Sequence, residues 1–187
     1  MKTKILLASI ISCAAIVFLA TGCGERKAKP HAEKAEEAAE AADTTVYGVC
    51  GEGTSMHSLQ LVTDYGDTIT YVINDEGDVT TDVQGGLMAG DHVAVVGTKC
   101  DGEAVADKVI NLTSLLGHWT SIDRNFELEE GGTVKSSVKA ETAPWTTWKI
   151  FNGNLVLNRD TFVIYNLGAD SLYIENSKGI YAFKRQY

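Results

Sequence analysis

Proline is scarce in this 187-residue sequence, which contains two, and no segment after Thr45 shows a sustained helical repeat of apolar residues. Glycine is frequent, with 18 residues, and many glycines separate short apolar segments. Short alternating segments between glycine bends are typical of β-strands and their turns. The sequence therefore argues against a helical bundle and predicts an all-β protein from about residue 46 onwards.

Basic residues are also few, because 16 lysines and arginines stand against 25 aspartates and glutamates, a net charge of −9. Residues 1–22 contain two lysines and no acidic residue, so the remainder carries −11. Binding to a phosphate backbone or to anionic lipid requires a basic patch. We therefore expect no nucleic-acid partner and no electrostatic adhesion to a membrane.

Catalytic and metal-binding motifs are missing. The sequence has no GxSxG, HExxH or phosphate-binding loop, and its four histidines are scattered. Acidic pairs such as Glu129 and Glu130 adjoin glycine turns, where solvated side chains are usual. The sequence thus predicts a chain that is not an enzyme and that holds no metal and no cofactor.

The longest apolar run, residues 5–20, is 16 residues long, whereas a helix that spans a bilayer needs about 20. Lys2 and Lys4 precede this run, and small residues follow it. A short apolar core behind a basic start is typical of a signal peptide, which we assign to residues 1–22.

Residues 19–23, which read Leu-Ala-Thr-Gly-Cys, resemble the bacterial lipobox, although Ala20 stands where many lipoboxes have leucine. The resemblance implies that Cys23 is lipidated, becomes the first mature residue and anchors the chain to a membrane. The alternative is an ordinary secretory signal with a free cysteine. Gly24 resembles a signal for transfer to the outer membrane of the cell envelope. The lack of an acidic run directly after Cys23 favours the periplasmic face.

Residues 23–45 are interpreted as the lipid anchor and a spacer. Residues 32–42 are almost entirely alanine, glutamate and lysine, a composition that cannot build a core but can form helical turns. We expect a semi-rigid connection between the lipid and the folded body.

Two cysteines, Cys50 and Cys100, remain after Cys13 is assigned to the signal peptide and Cys23 to the lipid. An exported compartment is oxidising, so an even pair predicts a disulfide. The alternative is a metal or redox pair, although the sequence has no CxxC.

Residues 46–114 contain five or six short strand patterns, which predict a small closed barrel. The string Gly90-Asp91-x-Val93-x-Val95-x-Gly97 resembles a strand of OB-like barrels. Many OB-folds bind nucleic acid through a basic and aromatic groove, which this acidic segment lacks.

Residues 115–187 contain about eight short strand patterns with short connections, which predict a second barrel, an up-and-down meander. Asn152-Gly153 between two such patterns is a strong signal for a type I′ hairpin.

The second half opens with Gly117-x-Trp119 and ends in an aromatic and basic strand that contains Lys184 and Arg185. This arrangement resembles the short lipocalin-like domains of bacterial lipoproteins. The resemblance implies that Trp119 packs near the barrel floor under a basic residue of the last strand, either Arg185 or Lys184. It also implies a small apolar ligand inside the barrel. The short strands leave a second interpretation open, in which five aromatic side chains fill the barrel: Trp119, Phe126, Trp148, Phe162 and Phe183.

Two functional hypotheses follow for a membrane-anchored chain. In the first, the lipocalin-like barrel binds a small apolar ligand or a partner in the envelope. In the second, the chain is an envelope interaction or stress-sensing protein with a filled barrel and no small-molecule ligand.

Anchoring through Cys23 has a direct test. A Cys23→Ser variant, exported behind a signal peptide that is cleaved without lipidation, should appear in the soluble fraction after cell lysis, because the acyl chains supply the membrane affinity. Fractionation and immunoblotting beside the parent chain measure this. Retention of the variant with membranes would place the anchor elsewhere.

Overall fold

A computed structural model describes residues 42–75, 77, 80–137 and 143–187, and these residues form an all-β protein. The predicted fold class is thereby confirmed. The signal peptide, the lipid attachment at Cys23 and nearly all of the spacer lie outside the described residues. In the part of the chain that the structure describes, no helix is long and apolar enough to cross a membrane.

Five of the six N-terminal strands form a closed barrel. Strands β1, β2 and β3 form an antiparallel meander, β5 pairs with β1 and with β6, and β6 closes the ring by parallel pairing with β3. The short β4 pairs in parallel with residues 108–110 of β6, on the same edge of β6 as β3. The strands are β1 (Val46–Cys50), β2 (Ser58–Thr63), β3 (Thr68–Val72), β4 (Asp82–Gln84), β5 (His92–Cys100) and β6 (Glu103–Asn111).

Close backbone packing holds this barrel together at β1 and β2. A Cβ atom built on Gly48 would lie 2.3 Å from the carbonyl oxygen of Val62. Only glycine lets the two strands approach this closely. Alternate side chains then point inward, and Leu59, Leu61 and Val95 are completely buried in the N-terminal core.

Eight strands form the C-terminal barrel, in which every strand pairs with its neighbour in the chain except at one place. That place lies between β9 and β10, where the isolated bridge Thr133–Thr147 nearly closes the ring. The predicted meander is confirmed. The strands are β7 (Gly117–Thr120), β8 (Asn125–Leu128), β9 (Val134–Ser136), β10 (Trp148–Phe151), β11 (Asn154–Leu157), β12 (Asp160–Leu167), β13 (Ser171–Asn176) and β14 (Gly179–Gln186).

The turn between β10 and β11 has the conformation that its sequence predicts. Asn152 and Gly153 have φ angles of 46° and 72°. Positive φ at both central residues is the requirement of a type I′ turn, whose twist matches that of the paired strands.

The two barrels share part of one core. The helix α1 (Leu112–Leu115) connects them, and both of its leucines are buried in the C-terminal core together with Ala94 and Ile110. The hydroxyl of Tyr47 donates to the Ile150 carbonyl oxygen at 2.7 Å. Side chains on both faces of β5 are therefore buried, which explains its nearly continuous apolar sequence. All described residues belong to one compact unit, Glu40–Tyr187.

The predicted disulfide is absent, because Cys50 and Cys100 are both free thiols in the structure. Cys50 lies beside Asp91, to whose carbonyl oxygen its amide donates at 2.8 Å, whereas Cys100 ends β5. Nine residues of extended strand separate these places by about 30 Å, and a disulfide cannot form when the two Cα atoms are more than about 7 Å apart. An even number of cysteines does not show how the strands pair, and the strand pairing is what separates these two thiols.

The two thiols should differ in reactivity. Burial raises the pKa of the Cys50 thiol to about 11, and the Asp91 carboxylate adds to the shift, so the thiol stays protonated at pH 8. Cys100 is exposed. In the mature Cys23→Ser protein at pH 8, a thiol reagent should label one cysteine in the folded state and two in denaturant, by mass spectrometry. Labelling that requires prior reduction would contradict the free thiols.

Candidate binding site

Trp119 and Arg185 form the floor of the C-terminal barrel. Trp119 is completely buried, and its indole nitrogen donates to the Leu115 carbonyl oxygen at 2.9 Å. The guanidinium of Arg185 lies 4.2 Å from the centre of the Trp119 ring. It also donates to the carbonyl oxygens of Leu116, at 2.7 Å, and of Ser114. Arg185, not Lys184, is therefore the basic residue that covers this tryptophan.

Gly117 makes room for this arginine. Its φ is 114°, and a Cβ atom there would lie 2.8 Å from Nη1 of Arg185. Both the backbone conformation and the close approach require glycine. The Gly-x-Trp spacing and the last-strand arginine thus act together as one structural unit that fixes how β7 meets β14.

The interior of this barrel is filled by its own side chains. Phe126, Trp145, Phe162 and Phe183 lie in a chain of edge-to-face contacts, with ring centres 5.1 to 6.4 Å apart. All four are buried. Eight short strands enclose a space that side chains can fill, and these rings occupy its centre.

The predicted set of interior aromatics is wrong at one position. Trp148 lies only half-buried at the edge of the core, where its indole nitrogen donates to the Glu129 carbonyl oxygen at 2.8 Å. Trp145 takes the central place instead. Trp145 follows Pro144 outside any strand, so strand alternation could not identify it.

A cleft of about 890 Å³ opens on one side of the barrel, between the loop that follows β7 and the strands β13 and β14. Its wall includes Ile122, Arg124, Tyr173, Ile180 and Phe183. No sequence motif predicted this cleft, because it arises from the limited length over which two strands, β7 and β14, pair.

The cleft exists because β7 is shorter than β14. Their pairing covers Lys184, Arg185 and Gln186 and ends where β7 turns away after Thr120. Within the described residues, the stretch 179–183 of β14 has a partner strand on one side only, β13. The seam opens there onto the filled core.

Apolar side chains surround this opening. Ile122, at the tip of the loop, is fully exposed, and Ile180 is 61% exposed. Arg124 folds from the same loop over the Trp145 ring, with its guanidinium 3.9 Å from the ring centre. The two exposed isoleucines lie beside the arginine that covers the aromatic cluster. Such a surface suits an apolar ligand group better than a charged one.

A second groove of about 600 Å³ lies between the two barrels, lined by residues that include Tyr47, His92, Glu130, Trp148 and Lys149. Burial raises the pKa of Tyr47 to about 12, so its hydroxyl keeps its donated hydrogen bond at physiological pH. His92 is held by Asp64, with 3.1 Å between Nε2 and Oδ1. The charges of this groove are mixed, and they indicate no particular ligand.

Among residues 42–75, 77, 80–137 and 143–187, no cluster of three or more histidine, cysteine, aspartate or glutamate side chains could hold a metal ion. Of the residues singled out from the sequence, Gly117, Trp119 and Arg185 lie together. Cys50 and Cys100 lie apart, and Cys23 is outside the described residues.

Residues 111–186 match the model of a lipocalin-like family. Together with the nearly closed eight-stranded barrel, the match shows that the C-terminal half is a lipocalin-like domain. The N-terminal barrel lies outside the match. No curated protein and no solved structure gave a significant match.

The floor of the barrel should depend on the forked shape of the Arg185 side chain. Arg185→Lys keeps the charge but lacks the planar fork of donors that contacts the carbonyl oxygens of Ser114, Leu116 and Ala169. The free energy of unfolding should therefore fall by about 1–3 kcal/mol. Urea denaturation measures this change. The neighbouring exposed change Lys184→Ala is the matched control and should cost less than about 0.5 kcal/mol. Equal effects of the two substitutions would contradict this role of Arg185.

Proposed function

We propose that this chain is a lipid-anchored, non-enzymatic binding protein of the bacterial envelope, held by Cys23 at the periplasmic face of the outer membrane. In this proposal the lipocalin-like domain binds an apolar ligand group at the cleft beside Ile122 and Ile180. Lipocalin-like barrels indicate ligand binding in general. In this proposal the ligand lies at the cleft beside the barrel and not inside it.

The observation that carries the proposal is the contrast between the lumen and the cleft. Five aromatic side chains occupy the barrel: Trp119, Phe126, Trp145, Phe162 and Phe183. Opening a cavity among such side chains would cost several kcal/mol. The cleft needs no opening, since its volume of about 890 Å³ is within the range of small-molecule sites.

The attachment of the N-terminal segment supports this geometry. The Asn152 side chain accepts from the amide of Thr44 at 2.8 Å and donates to the Ala42 carbonyl oxygen at 3.2 Å. Alternate loops of a meander lie at opposite ends of the barrel. The Asn152 turn and the Ile122 loop are therefore at opposite ends. A tether that enters at Asn152 leaves the cleft away from the attachment point.

In this proposal the N-terminal barrel has a supporting role. Its closure by β1, β2, β3, β6 and β5, with β3 and β6 parallel, is consistent with the OB-like prediction. Its acidic character gives no reason to propose nucleic-acid binding.

A second candidate function is an envelope interaction or stress-sensing protein without a small-molecule ligand. The filled barrel favours it, as does the exposed apolar outer face of β12 and β13, where Tyr165 is 67% and Tyr173 is 39% exposed. Such a protein would bind no small apolar probe at the cleft.

Nile red, a neutral apolar dye, separates these two functions. The soluble Cys23→Ser protein should bind it with increased fluorescence. Ile122→Asp should weaken this binding at least about tenfold, because a charge in the cleft opposes burial of the dye.

The matched control is Met88→Asp, which changes another exposed apolar side chain that does not line the cleft. It should leave the affinity for the dye unchanged. Equal loss in the two variants, or no binding by the parent, would contradict an apolar site at this cleft.

A further inference from the structure

We propose that the cleft receives an extended peptide segment of a partner protein, which pairs as an added strand with the free edge of β14. The inference rests on the proposed function, since it names the class of ligand for the same cleft. It assigns to the main chain of Ile180 and Ala182 the role of hydrogen-bonding that peptide.

The direction of the β14 backbone groups follows from one hydrogen bond. The amide of Arg185 donates to the carbonyl oxygen of Asp170, just before β13, at 2.9 Å. In an antiparallel strand the N–H and C=O groups of one residue point to the same side, and this side alternates along the chain. The odd-numbered residues of β14 therefore face β13. Ile180 and Ala182 face the opposite side.

On that opposite side, the described part of the chain places no strand beside residues 179–183. Pairing with β7 begins only at Lys184, which lies opposite Thr120. Ile180 and Ala182 both line the cleft. Their two amides and two carbonyl groups thus form a short row of donors and acceptors at the cleft wall, which is what strand addition requires.

The size of the free edge matches a short peptide. The stretch 179–183 has five residues and extends about 17 Å at the strand rise of 3.3–3.4 Å per residue. Apolar side chains flank it, with Ile122 on the loop and Ile180 on the strand. An extended peptide uses both features, since its main chain pairs with the edge while alternate apolar side chains lie against the isoleucines.

The charged residues of the cleft indicate at which end of the free edge a charged residue of the peptide would lie. Lys184 ends the free edge, lines the cleft and has no ion pair among the described residues. Asp123 lies on the facing loop. Asp170, at the same end as Lys184, accepts from the hydroxyl of Tyr187. Charge complementarity therefore places an acidic residue of the peptide at the Lys184 end.

The test uses a defined probe, an acetylated and amidated seven-residue peptide of alternating valine and threonine that ends in glutamate. It is titrated into the soluble Cys23→Ser protein and followed by NMR. The amide signals of Ile180 and Ala182 should shift and their hydrogen exchange should slow. The same peptide with methyl groups on alternate backbone nitrogens should lose the effect, because its side chains are intact while its donors are blocked.

A matched pair of variants tests the edge itself. Ala182→Pro removes the amide that faces the cleft without touching the ladder to β13, and proline is tolerated on such an edge. It should weaken peptide binding at least about tenfold. Ala182→Val keeps the amide and should bind as the parent does. Circular dichroism confirms that both variants are folded.

The outcomes separate the two proposals. No binding of the peptide at millimolar concentration, or equal binding of the methylated peptide or by Ala182→Pro, would overturn strand addition. If Nile red still binds in an Ile122-dependent manner, the cleft keeps its proposed function and only its peptide ligand is wrong. Loss of both signals would overturn the cleft as a site.

Discussion

The packing of aromatic rings inside the C-terminal barrel is the constraint on which the rest of the structure depends. The strands β7 to β11 are only three or four residues long, so the barrel is shallow. Trp119 fills its floor and Trp145 its centre. Edge-to-face pairs of this kind contribute about 0.5–1.5 kcal/mol each beyond their buried area. A ligand in the lumen would have to replace these contacts, which is why we propose binding at the side of the barrel.

The difference in length between β7 and β14 then determines where the cleft of the proposed function opens. β7 has four residues and β14 has eight, and their pairing is confined to the end near Arg185. The stack of Arg185 on Trp119 holds this end closed. The other end of β14 is left unpaired beside the loop that carries Ile122. One arrangement thus produces both a stable floor and an open seam.

Much of the fold could be predicted from the sequence, because local rules suffice for it. Asn152-Gly153 specifies its hairpin by turn chemistry alone, and glycine bends delimit the short strands. The Gly117 and Trp119 pair with Arg185 could be identified only through family resemblance, since no local rule relates two ends of a domain.

The failures have physical reasons as well. Trp145 lies outside any strand and reaches the core from a connection, where alternation gives no information. Cys50 and Cys100 were expected to pair because they were the only cysteines left. Strand register separates them, and register depends on tertiary packing. The cleft depends on the relative lengths of β7 and β14, which are settled only when the strands pair.

The most direct test of the central claim, that this lipocalin-like domain binds beside its barrel and not within it, is an NMR titration of the soluble protein with Nile red. Backbone amides and isoleucine and leucine methyl groups are observed together. The account predicts that signals of Ile122, Ile180 and Ala182 shift while the methyl signals of Leu155, Ile164 and Leu172, which are buried in the lumen, stay in place. Shifts of the lumen methyl groups with an unchanged cleft would contradict it.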